Sequence, residues 1–192
     1  DYWAWNNAIF GSWFKAGGNP TSNARGDKGN LWGLSWYGIR KANIGLANLD
    51  LLIEATPEEK QLIEGQLYFF RGWFHFMLMQ YWGGLPYIDV ALSPAEPPRV
   101  PRLNYQETAE KVAEDLRKAA DLLPVDWDQT AAGSITNLNN DRRANKIMAL
   151  TFLGKNLLYA GSPLMNEEST GSRTYNAEFC KRAAEALGEA LQ

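Results

Sequence analysis

The chain alternates between long apolar stretches and polar, Gly- and Asn-rich ones, and that rhythm predicts helices joined by loops. Residues 1–14 are aromatic and weakly helical in pattern. Residues 15–30, KAGGNPTSNARGDKGN, carry almost no apolar side chain and read as a loop, long for a compact domain. From Leu31 a 3.6-residue period begins. Trp32, Trp36, Ile39, Asn43, Leu46 and Ile53 share one face of a helix predicted over 31–53. The polar Asn43 in that stripe is expected to be a buried amide bonded to a neighbouring turn.

The second helix organises the rest. Thr56 and Glu59 have the spacing of a capping box, and Pro57 falls at the first helical position. The segment then turns apolar almost all round, through Leu67, Phe69, Phe70, Trp73, Phe74, Phe76, Met77, Leu78, Met79, Tyr81 and Trp82. A helix without a wet face must be covered on several sides. Phe70, Trp73, Phe74 and Met77 are therefore expected among the most buried residues. Arg71, His75 and Gln80 make the run too polar to span a bilayer. Gly83 and Gly84 can stop it in a left-handed cap, and Pro86 bars its return.

Pro94, Pro97, Pro98 and Pro101 mark an extended connector. Asn104, with Glu107 three residues on, caps a third helix whose buried stripe is Tyr105, Ala109, Val112, Leu116, Ala119 and Leu123. Residues 126–141 read as a polar loop. A fourth helix is predicted over 142–160, with Ile147, Leu150, Leu157 and Leu158 inward and Gly154 admitting a close neighbour. Another polar loop, 166–175, leads to a fifth helix capped by Asn176, with Phe179, Ala183, Leu187 and Leu191 along its stripe. The sequence stops without a helix-ending signal. The fold class is thus all-α: a helix pair, a second pair, then half a pair, as in a repeat solenoid that has been cut. An apolar strip along Phe179, Ala183 and Leu187 is expected to be left open for a missing partner helix or a neighbouring molecule.

Composition narrows the function. The 192 residues can bury a real core, and aromatics make up 12 % of them, with eight tryptophans. A net charge of −3 steers the chain to neither nucleic acid nor an anionic membrane. The single Cys180 leaves no internal disulfide framework. Neither a signal peptide nor a transmembrane run is visible. No catalytic kit is apparent. His75, four residues after Arg71 on the most apolar helix, reads as structural. Zinc-type clusters, calcium loops, Walker loops and dinucleotide fingerprints are all missing, so neither metal nor cofactor is expected. Glu58 with Glu59 belongs to a helix start, and Glu167 with Glu168 to a polar stretch; neither reads as an acid/base pair. What remains is Trp and Tyr beside Asn, Asp and Arg, the residue set that takes the faces and hydroxyls of sugars.

Several segments together resemble the SusD/RagB family, the outer-membrane glycan-binding lipoproteins of Bacteroidetes. They are WYGIRKAN at 36–43, the run from Gly65 through FFRGWFHFMLMQYWGGLPY, PRLNY at 101–105 leading into EDLRKAADLLP, and ALTFLGKNLLYAGSPLMN ending at Asn166. Order and spacing match over nearly all of the chain from Leu31 on. The resemblance implies a SusD-like helical scaffold of tetratricopeptide-like helix pairs, of which residues 1–192 would be an N-terminal part truncated at the C-terminus, with 1–30 as aromatic segment and loop and 31–192 as helix pairs. A whole member would add a lipidated N-terminal cysteine and a C-terminal half. The implied role is non-enzymatic capture of a glycan or other nutrient at the outer surface of the cell outer membrane. The implied partners are an oligosaccharide and a SusC-like TonB-dependent transporter, with no nucleic acid and with membrane attachment only through a lipid anchor outside this chain. An alternative is a tetratricopeptide-like adaptor that binds a protein or peptide. If the glycan site reaches this chain, it is expected where aromatics meet the first polar loop. Trp13 would be the stacking platform there, and Asn19, Asn23, Arg25 and Asp27 the partners of sugar hydroxyls.

Overall fold

The computed structural model describes residues 31–93, 99–136 and 139–192. Among them every regular element is helical: α1 (Leu31–Leu46), α2 (Pro57–Trp82), α3 (Tyr105–Leu122), α4 (Ala131–Ile135), α5 (Lys146–Ala160), α6 (Pro163–Thr170) and α7 (Ala177–Ala190), with 3-10 turns at Leu49–Leu51 and Trp127–Gln129. The long helices stack in chain order. α1 packs on α2, α2 on α3, α3 on α5 and α5 on α7. This is the nearest-neighbour arrangement of a helical-pair solenoid.

The caps form as the sequence predicts. Thr56 and Glu59 close a reciprocal box ahead of α2, with Pro57 at its start, and Asn104 and Glu107 do the same for α3. Asn145 accepts the Met148 N–H at 2.9 Å, which starts α5 at Lys146 and not at Arg142. A side chain that takes a free helical N–H sets the boundary, and the residues before it join the preceding turn. Asn176 accepts the Phe179 N–H in the same way.

α2 has two buried stripes. Leu62, Gly65, Phe69, Gly72, Phe76 and Met79 follow one i, i+3/i+4 line, and Gly65 and Gly72 on it lie against Leu122, Leu123 and Leu116 at the α3 interface. Arg71, His75 and Leu78 form the second. Phe70 is 40 % exposed, and Trp73 and Phe74 are only half-buried, so of the four residues expected at the centre only Met77 is deeply buried. Phe74 lies against Gly38 of α1, and Trp73 meets Phe152 of α5 edge-on at 6.3 Å. An apolar circumference cannot rank its own faces; the neighbours rank them.

α3 is the middle of the stack, and its whole predicted stripe is buried, from Tyr105 to Leu123. α6 occupies part of the segment expected to be loop, and it works as a cap supplied from outside. Glu168 accepts the Tyr105 N–H at 2.8 Å and Ser169 the Gln106 N–H at 3.1 Å, so it satisfies orphan donors at the start of α3. The segment 126–141 is likewise folded and not a plain loop: it carries a 3-10 turn and α4. Trp127 is buried there and donates its indole N–H to the Ala144 carbonyl at 2.8 Å.

Three more expectations change. α1 ends at Leu46, so Ile53 falls in the turn and is 85 % exposed. Leu158 is 49 % exposed while Leu153 takes the inward position. The strip on α7 is not left open. Phe179 and Ala183 are buried, and Leu187 lies over Gly154, where an added Cβ would stand 2.5 Å from the Leu187 Cγ. α5 therefore covers this strip, and the close approach foreseen at Gly154 is made by α7. Only Leu191, past the end of the helix, stays exposed.

Candidate functional site

The loop residues expected to meet a sugar, Trp13, Asn19, Asn23, Arg25 and Asp27, lie outside the described residues. What the described residues do show is the polar knot that holds the scaffold, and the grooves and aromatic surfaces left around it.

The knot ties α1, α2, α3 and the extended segment 83–93 together. Arg71 of α2 makes a bidentate pair with Asp115 of α3, Nε to Oδ2 at 2.6 Å and Nη2 to Oδ1 at 2.7 Å. Its Nη1 donates to the Asn43 side chain and to the Asp89 carbonyl, both at 3.0 Å. Asn43 then donates to the carbonyls of Ile88 at 2.9 Å and Val90 at 3.1 Å. Asn43 is thus the buried amide expected, bonded to the extended segment and not to a turn. The Tyr87 hydroxyl donates to Asp115. Burial works against the Arg71 charge, but the hydrogen bonds and charge of Asp115 outweigh it and hold the guanidinium above its ordinary range. Burial, then Asp115, pushes the Tyr87 hydroxyl up, so Tyr87 stays a donor.

His75 completes the knot. Its Nε2 accepts the Ile88 N–H at 3.2 Å, so Nδ1 carries the proton and donates to the Arg71 carbonyl at 2.9 Å. Its ring stacks on Tyr87 at 4.0 Å, and burial pushes its pKa down to about 3. A neutral imidazole with both nitrogens engaged and no exposed edge is a structural group. Glycine finishes the geometry. Gly83 ends α2 at φ 75°, ψ −148°, a positive-φ stop outside the left-handed helical region expected for it. A Cβ on Gly84 would stand 2.2 Å from the Leu103 carbonyl oxygen, so the chain passes itself there at backbone distance.

The acidic pairs are occupied too. Glu59 is spent on the α2 cap, and hydrogen bonds from Thr56 lower its pKa. Glu58 accepts the Ala132 N–H at 3.3 Å, Glu167 lies 3.5 Å from Arg173, and Glu168 caps α3. Among the described residues no group of His, Cys, Asp or Glu is placed to hold a metal, and no helix is long and apolar enough to cross a membrane.

One groove, of about 410 Å³, runs between α3 and α7 over Leu153 and Leu157 of α5. Two bidentate pairs bridge it. Arg182 donates to Glu110 at 2.6 and 2.8 Å, and Arg117 to Glu189 at 2.7 and 3.1 Å. A second cavity, of about 380 Å³, lies between the start of α2 and Trp127, lined by Leu62, Ile63, Ala132 and Arg143. Trp36, Trp73 and Trp82 are half-buried and packed against the core.

Sequence reasoning missed the Arg71–Asp115 pair. A signal existed, because an arginine in an apolar helix needs a counter-charge. What the sequence does not supply is which of many acids, forty-odd residues away, provides it.

Comparison with known proteins places this scaffold. A SusD-like family profile, described as starch-binding and associating with the outer membrane, matches residues 4–153. The chain belongs to the SusD-like family. Among solved structures it is similar to a laminarin-binding SusD-like protein (TM-score 0.65, 22 % identity, 90 % of this chain and 31 % of that one). It is also similar to surface glycan-binding protein A from Bacteroides uniformis (TM-score 0.64, 20 % identity, 84 % of this chain and 31 % of that one). A SusD-like protein from Bacteroides fragilis gives a TM-score of 0.62 at 20 % identity, over 83 % of this chain and 26 % of its own. At these identities the likeness is one of fold, and the chain spans less than a third of each of these three structures. No curated protein matches significantly.

Proposed function

We propose that this chain is the helical part of a non-enzymatic protein that captures glycan at the outer surface of the outer membrane and passes it to a SusC-like TonB-dependent transporter. The family membership over residues 4–153 carries the reading. Two features support it. Arg71, Asp115, His75 and Tyr87 near the centre are engaged in holding helices and the segment 83–93 together. The chain is also rich in Trp and Tyr, the ring types that pack on pyranoses. The sugar is held by Trp13 as platform with Asn19, Asn23, Arg25 and Asp27 on its hydroxyls. A lipid anchor outside this chain supplies the membrane attachment.

The adaptor alternative has one observation in its favour, the groove between α3 and α7 with its apolar floor. Against it, two arginine–glutamate pairs clasp that groove, and a peptide would have to displace them.

The test is electrophoresis of the chain through gels containing laminarin or soluble starch, with reducing ends assayed in parallel. Retardation without release of reducing ends is the expected result. Release of reducing ends would make the protein an enzyme, and free migration in both gels would remove the glycan reading.

A further inference from the structure

The segment between α3 and α5 is longer than the connection requires. The Lys146 N–H donates to the Pro124 carbonyl at 2.9 Å, so the chain just past α3 already meets the start of α5. The residues between leave the stack and return to the same place. A long excursion of this kind in a compact domain usually has a use. The described residues in it are polar, yet hydrogen bonds fold them firmly. Asn140 is buried, donates to Asp128 at 2.6 Å and to the Gly133 carbonyl at 2.9 Å, and accepts from the Thr136 hydroxyl at 2.6 Å. Trp127 is tied to the Ala144 carbonyl by its indole N–H.

What the excursion builds is one wall of the cavity of about 380 Å³, with Trp127, Ala132 and Arg143. The other wall is the start of α2 and the turn before it, with Leu62, Ile63, Gln66 and Glu54. Glu58 fastens the two by accepting the Ala132 N–H at 3.3 Å. The half-buried Arg143 guanidinium lies 4.9 Å from the centre of the buried Trp127 ring. Its backbone is held on both sides, by its own N–H on the Asn140 carbonyl at 2.9 Å and by the indole bond to Ala144. The groove between α3 and α7 is lined with charges too, but there each arginine has its glutamate. Here Arg143 and Glu54 line one cavity without meeting, and among the described residues neither has an ion pair or a side-chain hydrogen bond. A guanidinium stacked on a ring and partly withdrawn from water keeps a fork of donors in need of an acceptor.

We infer that this cavity is a second saccharide site, for a short neutral sugar, separate from the loop at 13–30. Arg143 donates to hydroxyls on one side, Glu54 accepts from hydroxyls on the other, and the Gln66 amide serves either way. The C–H face of the sugar rests on Leu62, Ile63 and Ala132. A fixed donor and an acceptor over an apolar floor match adjacent hydroxyls, each of which both donates and accepts. A simple anion would suit Arg143 but would also meet Glu54 and Glu59, which favours a neutral ligand. The inference rests on the glycan reading above but on none of the loop residues.

The experiment labels the full chain with nitrogen-15 arginine and assigns the Nε–H resonances of Arg143 and Arg142 with Arg143→Lys and Arg142→Lys. Maltose, laminaribiose, cellobiose and mannobiose are each titrated to about 20 mM, with leucine as a zwitterionic control. The Arg143 resonance should shift saturably with at least one sugar, while the exposed Arg142 and the paired Arg117 and Arg182 stay still. The shift should persist in Trp13→Ala. Glu54→Gln, on an exposed turn, should weaken the same event about five-fold or more with no change in melting temperature. A still Arg143 resonance with all four sugars overturns the inference, and so does an equal shift at Arg142 or undiminished binding in Glu54→Gln. A response to leucine and to no sugar also overturns it, by giving the cavity to an amino acid. If laminarin or starch retards the chain in gels while Arg143 never responds, the glycan reading stands and this site falls. If Arg143 responds to a disaccharide while both gels let the chain pass, the site stands and the reading for those polymers falls.

Discussion

Two interfaces of this stack use the same chemical device in opposite settings. Between α2 and α3, Arg71 and Asp115 pair with almost no exposure, at 8 % and 3 % of their side chains. Between α3 and α7, Arg182 with Glu110 and Arg117 with Glu189 pair with about a third or more of each side chain in water. Each pairing is bidentate, so geometry does not separate them. Surroundings do. The buried pair has given up its hydration and is kept by Tyr87, Asn43 and the Asp89 carbonyl, which take the groups that water would have taken. The exposed pairs keep water and counter-ions within reach. The first interface therefore specifies one arrangement of helix and exit segment, and the second is a clasp that can open.

The largest effect should come from breaking the inner pair. Asp115→Ala strands a buried guanidinium and should cost about 3–5 kcal/mol in urea denaturation. The double replacement Arg71→Met with Asp115→Leu removes both charges and should recover much of that loss. A single substitution costing no more than a surface change would put the two interfaces on an equal footing.

Acid probes the same knot through His75. Its folded pKa of about 3 lies below the ordinary 6.5, so the unfolded chain binds a proton that the folded one refuses. The stability this contributes is complete above pH 6.5 and is lost as pH falls toward about 3. At about 1.4 kcal/mol per unit the loss is bounded by about 5 kcal/mol. Because His75 is the only histidine, nitrogen-15 NMR of the ring reads it alone. A protonated Nδ1 and a bare Nε2 should persist down to pH 4. An imidazolium form at pH 5.5 would refute the knot as drawn.

At the outer interface, Gly154→Ala forces a methyl group against Leu187 and should cost about 1–3 kcal/mol in melting experiments. Melting unchanged by that substitution would mean that α7 stands off α5. The smallest effect belongs to the clasp. Glu110→Ala should cost about 0.2–1 kcal/mol and less still at high salt, whereas the cost of Asp115→Ala should hardly depend on salt. A salt-insensitive loss at Glu110 would erase the contrast.

How far the sequence foretold these regions follows from how many sides each element buries. α3 is amphipathic, so period alone found Tyr105, Ala109, Val112, Leu116, Ala119 and Leu123. Three helix starts were equally legible, because Thr56, Asn104 and Asn176 act on N–H groups three residues away, whereas the cap at Asn145 was missed. α2 is apolar on every side, and there the pattern wrongly favoured Phe70 over His75. Leu158 failed for a related reason: α5 is covered by α3 and α7 on two sides, and a single stripe cannot describe two. The folded segment 126–141 and α6 look polar because their order comes from hydrogen bonds, such as those of Trp127, Asn140 and Glu168, and not from apolar area. Membership of the SusD-like family was legible through its motifs.

The central claim is that this scaffold serves to hold a glycan site and has no chemistry of its own to perform. The most direct measurement is a calorimetric titration of the full chain with laminarin and with soluble starch, repeated for Trp13→Ala and Arg25→Ala. The account predicts binding in the range of about 1 µM to 1 mM, weakened several-fold by each substitution with no change in melting temperature. Wild-type affinity in both variants, or no heat with either glycan, would contradict it.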